Sequence, residues 1–449
     1  MAAVRPAAVA GTFYPGNARA LADEVDELLG GAEAFAPRVG FPKALIVPHA
    51  GYIYSGAVAA GAYDAVRAAR GVVRRVVLLG PVHRVAVRGL ATTSDEAFAT
   101  PLGSIAIDRE AIASLKDLPQ VVTSDAAHAL EHSLEVQLPF LQKTLGTFSL
   151  VPFAVGMASI AEVAQVIERL WGGPETLIVI STDLSHYHAY DEARRIDGNT
   201  ISRITGFATD LDHDEACGAT PLNGFLSLSK RKNLSLKLLA ACNSGDTGGG
   251  RDRVVGYSAF GLYEGAEPSL DEAGGALIAL ARSAIESSLF EPKEIRFDLP
   301  WLQQYGATFV TLTKDGQLRG CIGSLEASRP LGTDVAENAL GAAFRDPRFP
   351  RLAADEWPRC QVEVSMLCAP KRMEFADEAD LLAQLEPGVD GVILECDGRR
   401  STFLPQVWES LPDKRAFMAE LVKKAGLPAD TRLGRCKVSR YRVAKFHER

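Results

Sequence analysis

Up to about residue 265, short apolar runs rich in β-branched residues alternate with longer segments whose apolar positions recur at helical spacing, the pattern of a layered α/β domain. Strands are predicted over residues 44–47, 75–79, 149–155, 176–181, 236–241 and 254–262, and helices over 18–29, 57–69, 127–145, 160–171 and 189–207. Helices that cross between strands imply a mostly parallel sheet flanked by helices. After the polar stretch Glu264-Gly-Ala-Glu-Pro-Ser-Leu-Asp271, a fresh helix is predicted over 269–289, opened by Ser269 with Glu272 at capping-box spacing. Beyond it the strands read as antiparallel. Residues 308–313 and 318–324 flank Lys314-Asp-Gly-Gln317 as a hairpin, and 391–395 before Asp397-Gly398 begins another. With helices over 331–344, 377–385 and 414–424, that half is a smaller α+β domain. Two domains are therefore expected, residues 1–264 and 265–449.

Candidate chemistry follows the strands of the first domain. Residues 44–47 run into Pro48-His49, 75–79 into Gly80-Pro-Val-His83, 176–181 into Thr182-Asp183-Leu-Ser-His186, and 236–241 into Cys242-Asn-Ser-Gly-Asp246. Parallel strands bring their carboxyl ends to one edge, where open α/β folds bind ligands. His49, His83 and Cys242 would there supply two imidazoles and a thiolate, enough for a three-ligand metal site with open positions. Taken alone, Cys242 also fits a small buried apolar residue. Asp183 either orients His186 for proton transfer or caps the following helix. On the predicted 127–145 helix, His128 lies one turn before His132. His132 is assigned to the pocket lining and His128 to the surface.

These stretches resemble the Memo family, a relative of the LigB-type class III extradiol dioxygenases, across roughly residues 4–264. The carrying motifs are Ala10-Gly-Thr-Phe-Tyr-Pro15, Pro48-His-Ala-Gly-Tyr-Ile-Tyr-Ser-Gly56, Gly80-Pro-Val-His83, Glu131-His-Ser-Leu-Glu135, Ser181-Thr-Asp-Leu-Ser-His186 and Gly256-Tyr257. The resemblance implies metal ligation by His49, His83 and Cys242, with His186 and Asp183 as the neighbouring polar pair. Extradiol dioxygenases hold Fe(II) with two histidines and a carboxylate; a thiolate in the third place favours iron or copper, with zinc as a further option. The second half is similar to the AMMECR domain through Phe309-Val-Thr-Leu312, Leu318-Arg-Gly-Cys-Ile-Gly-Ser324, Asp346-Pro-Arg-Phe349 and Val362-Glu-Val-Ser-Met-Leu-Cys-Ala-Pro370. There Cys321, between two glycines and near Arg319, is read either as structural or as a reactive thiol. The fusion resembles the Memo plus AMMECR pairing of the AmmeMemoRadiSam system. That implies a separate radical SAM enzyme as partner and a prokaryotic cytoplasmic setting. The leading expectation is a metal-dependent redox or oxygenase-type enzyme acting on an unknown substrate, with His186, Asp183 and His132 as the candidate catalytic residues. A non-catalytic metal-binding scaffold or sensor that docks the radical SAM protein is the alternative.

Composition removes other classes. The 449 residues are 47% hydrophobic and 23% charged, and no apolar run approaches the length of a membrane span. Lys plus Arg number 23 against 28 acidic residues in 1–265, and 25 against 28 in the remainder, so neither half carries the positive excess that phosphate-backbone binding needs. The basic cluster over 432–449 is read as a solvated strand face. Seven widely spaced cysteines without a Cys-x-x-Cys pair argue for a reducing compartment and against a disulfide framework.

Overall fold

A computed structural model of the chain describes residues 3–31, 40–264, 270–292, 299–303, 305–325, 327–368 and 370–448. The described residues divide into two compact units, one holding residues 3–31 and 41–264 and the other holding Gly40 and the residues from 270 onward. The Ser269 cap lies outside the described residues.

The first unit opens with the short strand β1 (Val4–Arg5) and helix α1 (Ala18–Gly31). Next come β2 (Ala44–Val47), α2 (Tyr52–Ala65), β3 (Arg75–Pro81), β4 (Leu90–Thr92), β5 (Ala97–Thr100) and β6 (Gly103–Ala106). The chain continues through α3 (Arg109–Ala113), β7 (Val121–Thr123), α4 (Asp125–Ala129), α5 (Leu138–Leu145), β8 (Ser149–Val155), α6 (Ile160–Arg169) and β9 (Thr176–Ser181). It closes with β10 (His186–His188), α7 (Tyr190–Thr205), α8 (Ala219–Arg231), β11 (Leu234–Asn243) and β12 (Val254–Glu264).

The main sheet has the order β10-β12-β2-β9-β3-β8-β4-β7, with β11 paired to β12. Its centre, β2-β9-β3-β8, is parallel; β12 joins β2, and β4 joins β8, antiparallel. The sheet expected to be mostly parallel is thus parallel at its centre and mixed toward its edges. The central strands are buried along nearly their whole length, as strands covered on both faces must be. One face packs against α1, α2 and α5 through Leu21, Val25, Tyr63 and Phe140, and the other against α6 and α8 through Val163, Ile167, Leu222 and Phe225. Two antiparallel steps leave β11 pointing the same way as β2, so Asn243 at its end lies on the edge reached by Val47, Pro81 and Ser181.

The predicted 127–145 helix is not continuous. Helix α4 ends at Ala129, a 3-10 turn spans Glu135–Gln137, and α5 starts at Leu138. Ser124 caps α4, and the backbone N–H groups of His132 and Ser133 donate to the Glu131 carboxylate instead of to carbonyls one turn back. The site loop occupies the gap.

The second unit runs through α9 (Leu270–Leu289), β13 (Tyr305–Lys314), β14 (Gln317–Gly323), β15 (Arg329–Pro330), α10 (Leu331–Phe344), β16 (Cys360–Leu367), β17 (Lys371–Arg372), α11 (Glu378–Gln384), β18 (Gly391–Cys396), β19 (Arg399–Phe403), α12 (Lys414–Lys424), β20 (Lys437–Tyr441) and β21 (Val443–His447). Strands β13 and β14 form the expected hairpin, as do β18 and β19. In both turns the two central residues have positive φ, Asp315 and Gly316 in one and Asp397 and Gly398 in the other, which matches the strand twist. Helices α9 (Leu270–Leu289) and α10 (Leu331–Phe344) cover the sheet β14-β13-β16-β21, where β16 is Cys360–Leu367 and β21 is Val443–His447. A second sheet packs against α12 (Lys414–Lys424). Cys396 and Cys436 are joined by a disulfide, a pairing that the spacing of the cysteines did not announce. The basic residues near the C-terminus face acidic ones: Arg435 Asp397, Arg440 Asp390 and Arg442 Glu386.

Candidate metal centre

Three imidazoles converge beyond the ends of the central strands. The ligand atoms of His49, His83 and His132 all lie within 4.8 Å of one another. They open onto a cavity of about 790 Å³ whose wall also carries Arg84, Asp183, His186, His188, His213 and Cys217.

Each imidazole is held from behind. His49, 2% exposed, donates its backbone N–H to Asp183 Oδ1 at 2.7 Å, and its Nδ1 lies 2.9 Å from Ser181 Oγ. His83 donates its backbone N–H to Glu131 Oε2 at 2.7 Å, and its Nδ1 lies 2.9 Å from Glu131 Oε1. His132 Nδ1 lies 3.3 Å from the same oxygen. Acceptors behind Nδ1 leave the outer nitrogens free for a cation, the usual arrangement around a metal-bound histidine. Burial pushes the His49 imidazole down to about 4 against the opposing pull of Asp183, so it stands neutral, as a ligand must. Burial pushes the Glu131 carboxyl up, but hydrogen bonds from His132 and His83 outweigh it and hold the group ionised, well below the usual carboxylate range. That anion lies one step behind two of the three imidazoles.

The motif glutamates divide the work. Glu131 positions His83 and His132. Glu135, fully buried, accepts from Arg5 Nη1 (2.7 Å), Ala8 N (2.8 Å), Val9 N (2.9 Å) and the Tyr14 hydroxyl (2.6 Å). This anchors the Gly-Thr-Phe-Tyr-Pro turn, whose Phe13 ring packs 4.9 Å from the His132 ring and whose Phe13 carbonyl accepts from Tyr52 N at the start of α2. Gly256 lets β12 pass the buried Asp197, since a Cβ there would meet Asp197 Oδ2 at 2.1 Å.

The structure brings together His49 and His83, with His132 as the third imidazole. Cys242 belongs neither to that group nor to the cavity wall among the described residues; it sits on β11 opposite Tyr257, its thiol pushed up to about 11 by burial and then by Asp246. The sequence reading of a third ligand at Cys242 therefore differs from the geometry, because the last residues of β11 keep pairing with β12 and hold Cys242 in the ladder. Asp183 spends its carboxylate on His49 and shows no bond to His186, which lies on the cavity wall at the start of β10. Nor does Asp183 cap a helix. His128 is buried, not at the surface, and bonds the Ala91 carbonyl at 2.9 Å. Cys217 was not anticipated: its Sγ lies 3.3 Å from His49 Nε2. It sits in an irregular loop between α7 and α8, and the His213-Asp-Glu-Ala-Cys217 spacing was the only local signal.

Cys321 lies in one cross-strand row with Thr311, Glu363 and His447. Three strand spacings separate Cys321 from His447, about 14 Å, beyond the reach of a thiol–imidazole pair. Thr311 Oγ1 donates to Cys321 Sγ at 3.3 Å, and burial pushes that thiol up, so it is not activated.

A mixed sheet with a histidine cluster beyond its strand ends defines an α/β domain built around a candidate metal centre. Residues 5–260 match the family described as Memo-like protein, and the chain belongs to that family. Residues 278–446 match AMMECR1, so a Memo-like domain is fused to an AMMECR1 domain. A MEMO1 family protein of Aquifex aeolicus is 37% identical over 268 residues, covering 57% of this chain and 97% of that protein. The MEMO1 family protein MK0963 of Methanopyrus kandleri is 36% identical over 283 residues, covering 58% and 99%. The crystal structure of the uncharacterized protein PH0010 from Pyrococcus horikoshii covers 40% of this chain and 92% of its own, at 37% identity and a TM-score of 0.37. No helix among the described residues is long and apolar enough to cross a membrane.

Proposed function

We propose that the Memo domain is a metal-dependent enzyme of redox or oxygenase type, related to the class III extradiol dioxygenases, with its ion held by His49, His83 and His132. The observation that carries this reading is the convergence of three imidazoles whose inner nitrogens are already engaged by Ser181 and Glu131. The donor set fits: neutral imidazoles suit iron, copper and zinc alike. It departs from the two-histidine, one-carboxylate pattern of extradiol enzymes, since the nearest anion, Glu131, stands behind the ligands. A bound iron or copper ion would supply redox chemistry and Lewis acidity beside the substrate. The chain's own residues do the rest. Asp183 and Ser181 orient His49, Glu131 orients His83 and His132, Arg84 offers a cation to an anionic substrate group, and His186, on the cavity wall, holds or moves a proton. On the resemblance to the AmmeMemoRadiSam pairing, a radical SAM enzyme is the proposed working partner, and the cytoplasm the proposed setting.

The test is His186→Ala in protein reconstituted anaerobically with Fe(II) or Cu(I), read by metal content and by oxygen uptake on addition of a small-molecule extract. Full metal occupancy with oxygen uptake lowered at least tenfold supports the enzyme and the role of His186. Unchanged uptake removes His186 from the chemistry. Absence of uptake in the wild type at full occupancy favours a metal-bearing scaffold instead.

A further inference from the structure

We infer that the substrate of the histidine centre is an amphipathic small molecule, an unbranched aliphatic chain with an anionic, metal-liganding head, whose chain lies in a second chamber beside the ion. The inference rests on the metal-binding reading above and names the substrate class of that site. The second chamber has a volume of about 690 Å³ and meets the histidine cavity along His83, His213 and Cys217, which line both. The two differ in chemistry. The histidine cavity carries Arg84, His186 and His188, which offer N–H donors to an anion. The second chamber is walled by Pro81, Val82, Val87, Val155, Met157 and Pro221. Arg88 also lines it, with an aliphatic stem below a charge that acts on Glu162 of α6.

Backbone polar groups along this wall are consumed by one another. Val82 N donates to the Val155 carbonyl at 3.1 Å, Met157 N to that of Val87 at 2.9 Å, Gly89 N to that of Met157 at 2.8 Å, and Gly156 N to that of Gly89 at 3.0 Å. These bonds stitch the loop after β3 to the end of β8, so the wall is preformed and presents aliphatic side chains instead of free N–H and carbonyl groups. Gly156 permits the close approach, since a Cβ there would meet the Val87 carbonyl oxygen at 2.0 Å. Met157 is 75% exposed, and its flexible thioether chain conforms to ligands of varying length. Among the described residues no phenylalanine, tyrosine or tryptophan lines the chamber; methyl and methylene groups pack along a chain and supply no stacking face of their own.

The experiment titrates the Zn(II)-loaded full chain with n-acyl hydroxamates from acetyl to octanoyl, and with benzohydroxamate, by isothermal titration calorimetry, for the wild type, Met157→Glu and Ala86→Glu. Both positions are exposed, line the second chamber and lie outside the histidine cluster. The expected result is a wild-type affinity that rises about two- to fourfold with each added methylene, the range from half to full burial of the chain. Acetyl hydroxamate should bind all three proteins equally, and the gain at octanoyl should fall at least about tenfold in both variants. A flat series in the wild type, or one equally steep in either folded variant, overturns the chamber assignment. Tighter binding of benzohydroxamate than of octanoyl hydroxamate overturns the aliphatic chain. Stoichiometric zinc with no hydroxamate bound overturns the inference while leaving the three-histidine site standing. Failure of the wild type to bind zinc overturns the metal-binding reading, and this inference with it. Near-ultraviolet circular dichroism checks that each variant is folded, and one folded variant suffices to read these outcomes.

Discussion

Glu131→Gln removes one charge and no volume, so it isolates what the buried carboxylate does for the site. Four backbone and ring N–H groups converge on it: His83 N at 2.7 Å, and His83 Nδ1, His132 N and Ser133 N at 2.9 Å each. Three of these end on Oε1 and one on Oε2. The better orientation of a glutamine keeps its oxygen in the Oε1 place and turns its NH₂ toward the His83 backbone N–H, donor against donor. One bond is lost outright, which costs about 1–3 kcal/mol, and three charge-assisted bonds become neutral ones. His83 and His132 lose the anion that fixes their ring orientation and raises their basicity, and such losses typically lower metal affinity about 10–100-fold. The assay is competitive Zn(II) titration against a chelator of known affinity, with circular dichroism to confirm the fold. An affinity within threefold of wild type, in a folded variant, would refute the reasoning that Glu131 organises the site.

Further outcomes are expected elsewhere. Glu135→Gln leaves Arg5 buried without its counter-charge, and breaking such a pair costs about 3–5 kcal/mol, read as a lower unfolding midpoint in urea. Gly256→Ala drives a methyl into Asp197 and should lose about 1–3 kcal/mol by the same measurement; an unchanged midpoint would show that β12 can shift there. Burial lowers both His49 and His128 to about 4, so the folded chain binds fewer protons than the unfolded one between the ordinary value of 6.5 and about 4. Stability of the metal-free protein should be full above that window and fall as pH drops through it, by up to about 1.4 kcal/mol per pH unit for each histidine. A flat profile there would contradict the neutral, buried state of both rings.

The strand-end rule was legible because parallel strands share a direction: His49 and His83 follow β2 and β3, and no contact had to be known to place them on one edge. The two hairpins of the second unit were legible for a similarly local reason, since Asp-Gly at positive φ occurs in few other settings. His132 was harder. Its segment has helical periodicity, and only the tertiary demand of His83 for the Glu131 carboxylate shows why the chain leaves the helix at Ala129. His128 looked exposed for the same reason, as helical phase was extended through a segment that does not keep it. Cys217 depends on a close approach permitted by Gly218, and contacts across 168 residues of sequence leave no periodic trace.

The most direct test of the account is metal content after anaerobic purification, by elemental analysis of the wild type beside His49→Ala, His83→Ala and His132→Ala. Near-stoichiometric iron, copper or zinc in the wild type, lost in all three folded variants, is the result predicted. Metal retained undiminished in His132→Ala, or absent from the wild type even after reconstitution with Fe(II), Cu(I) and Zn(II), would contradict a centre built on these three imidazoles.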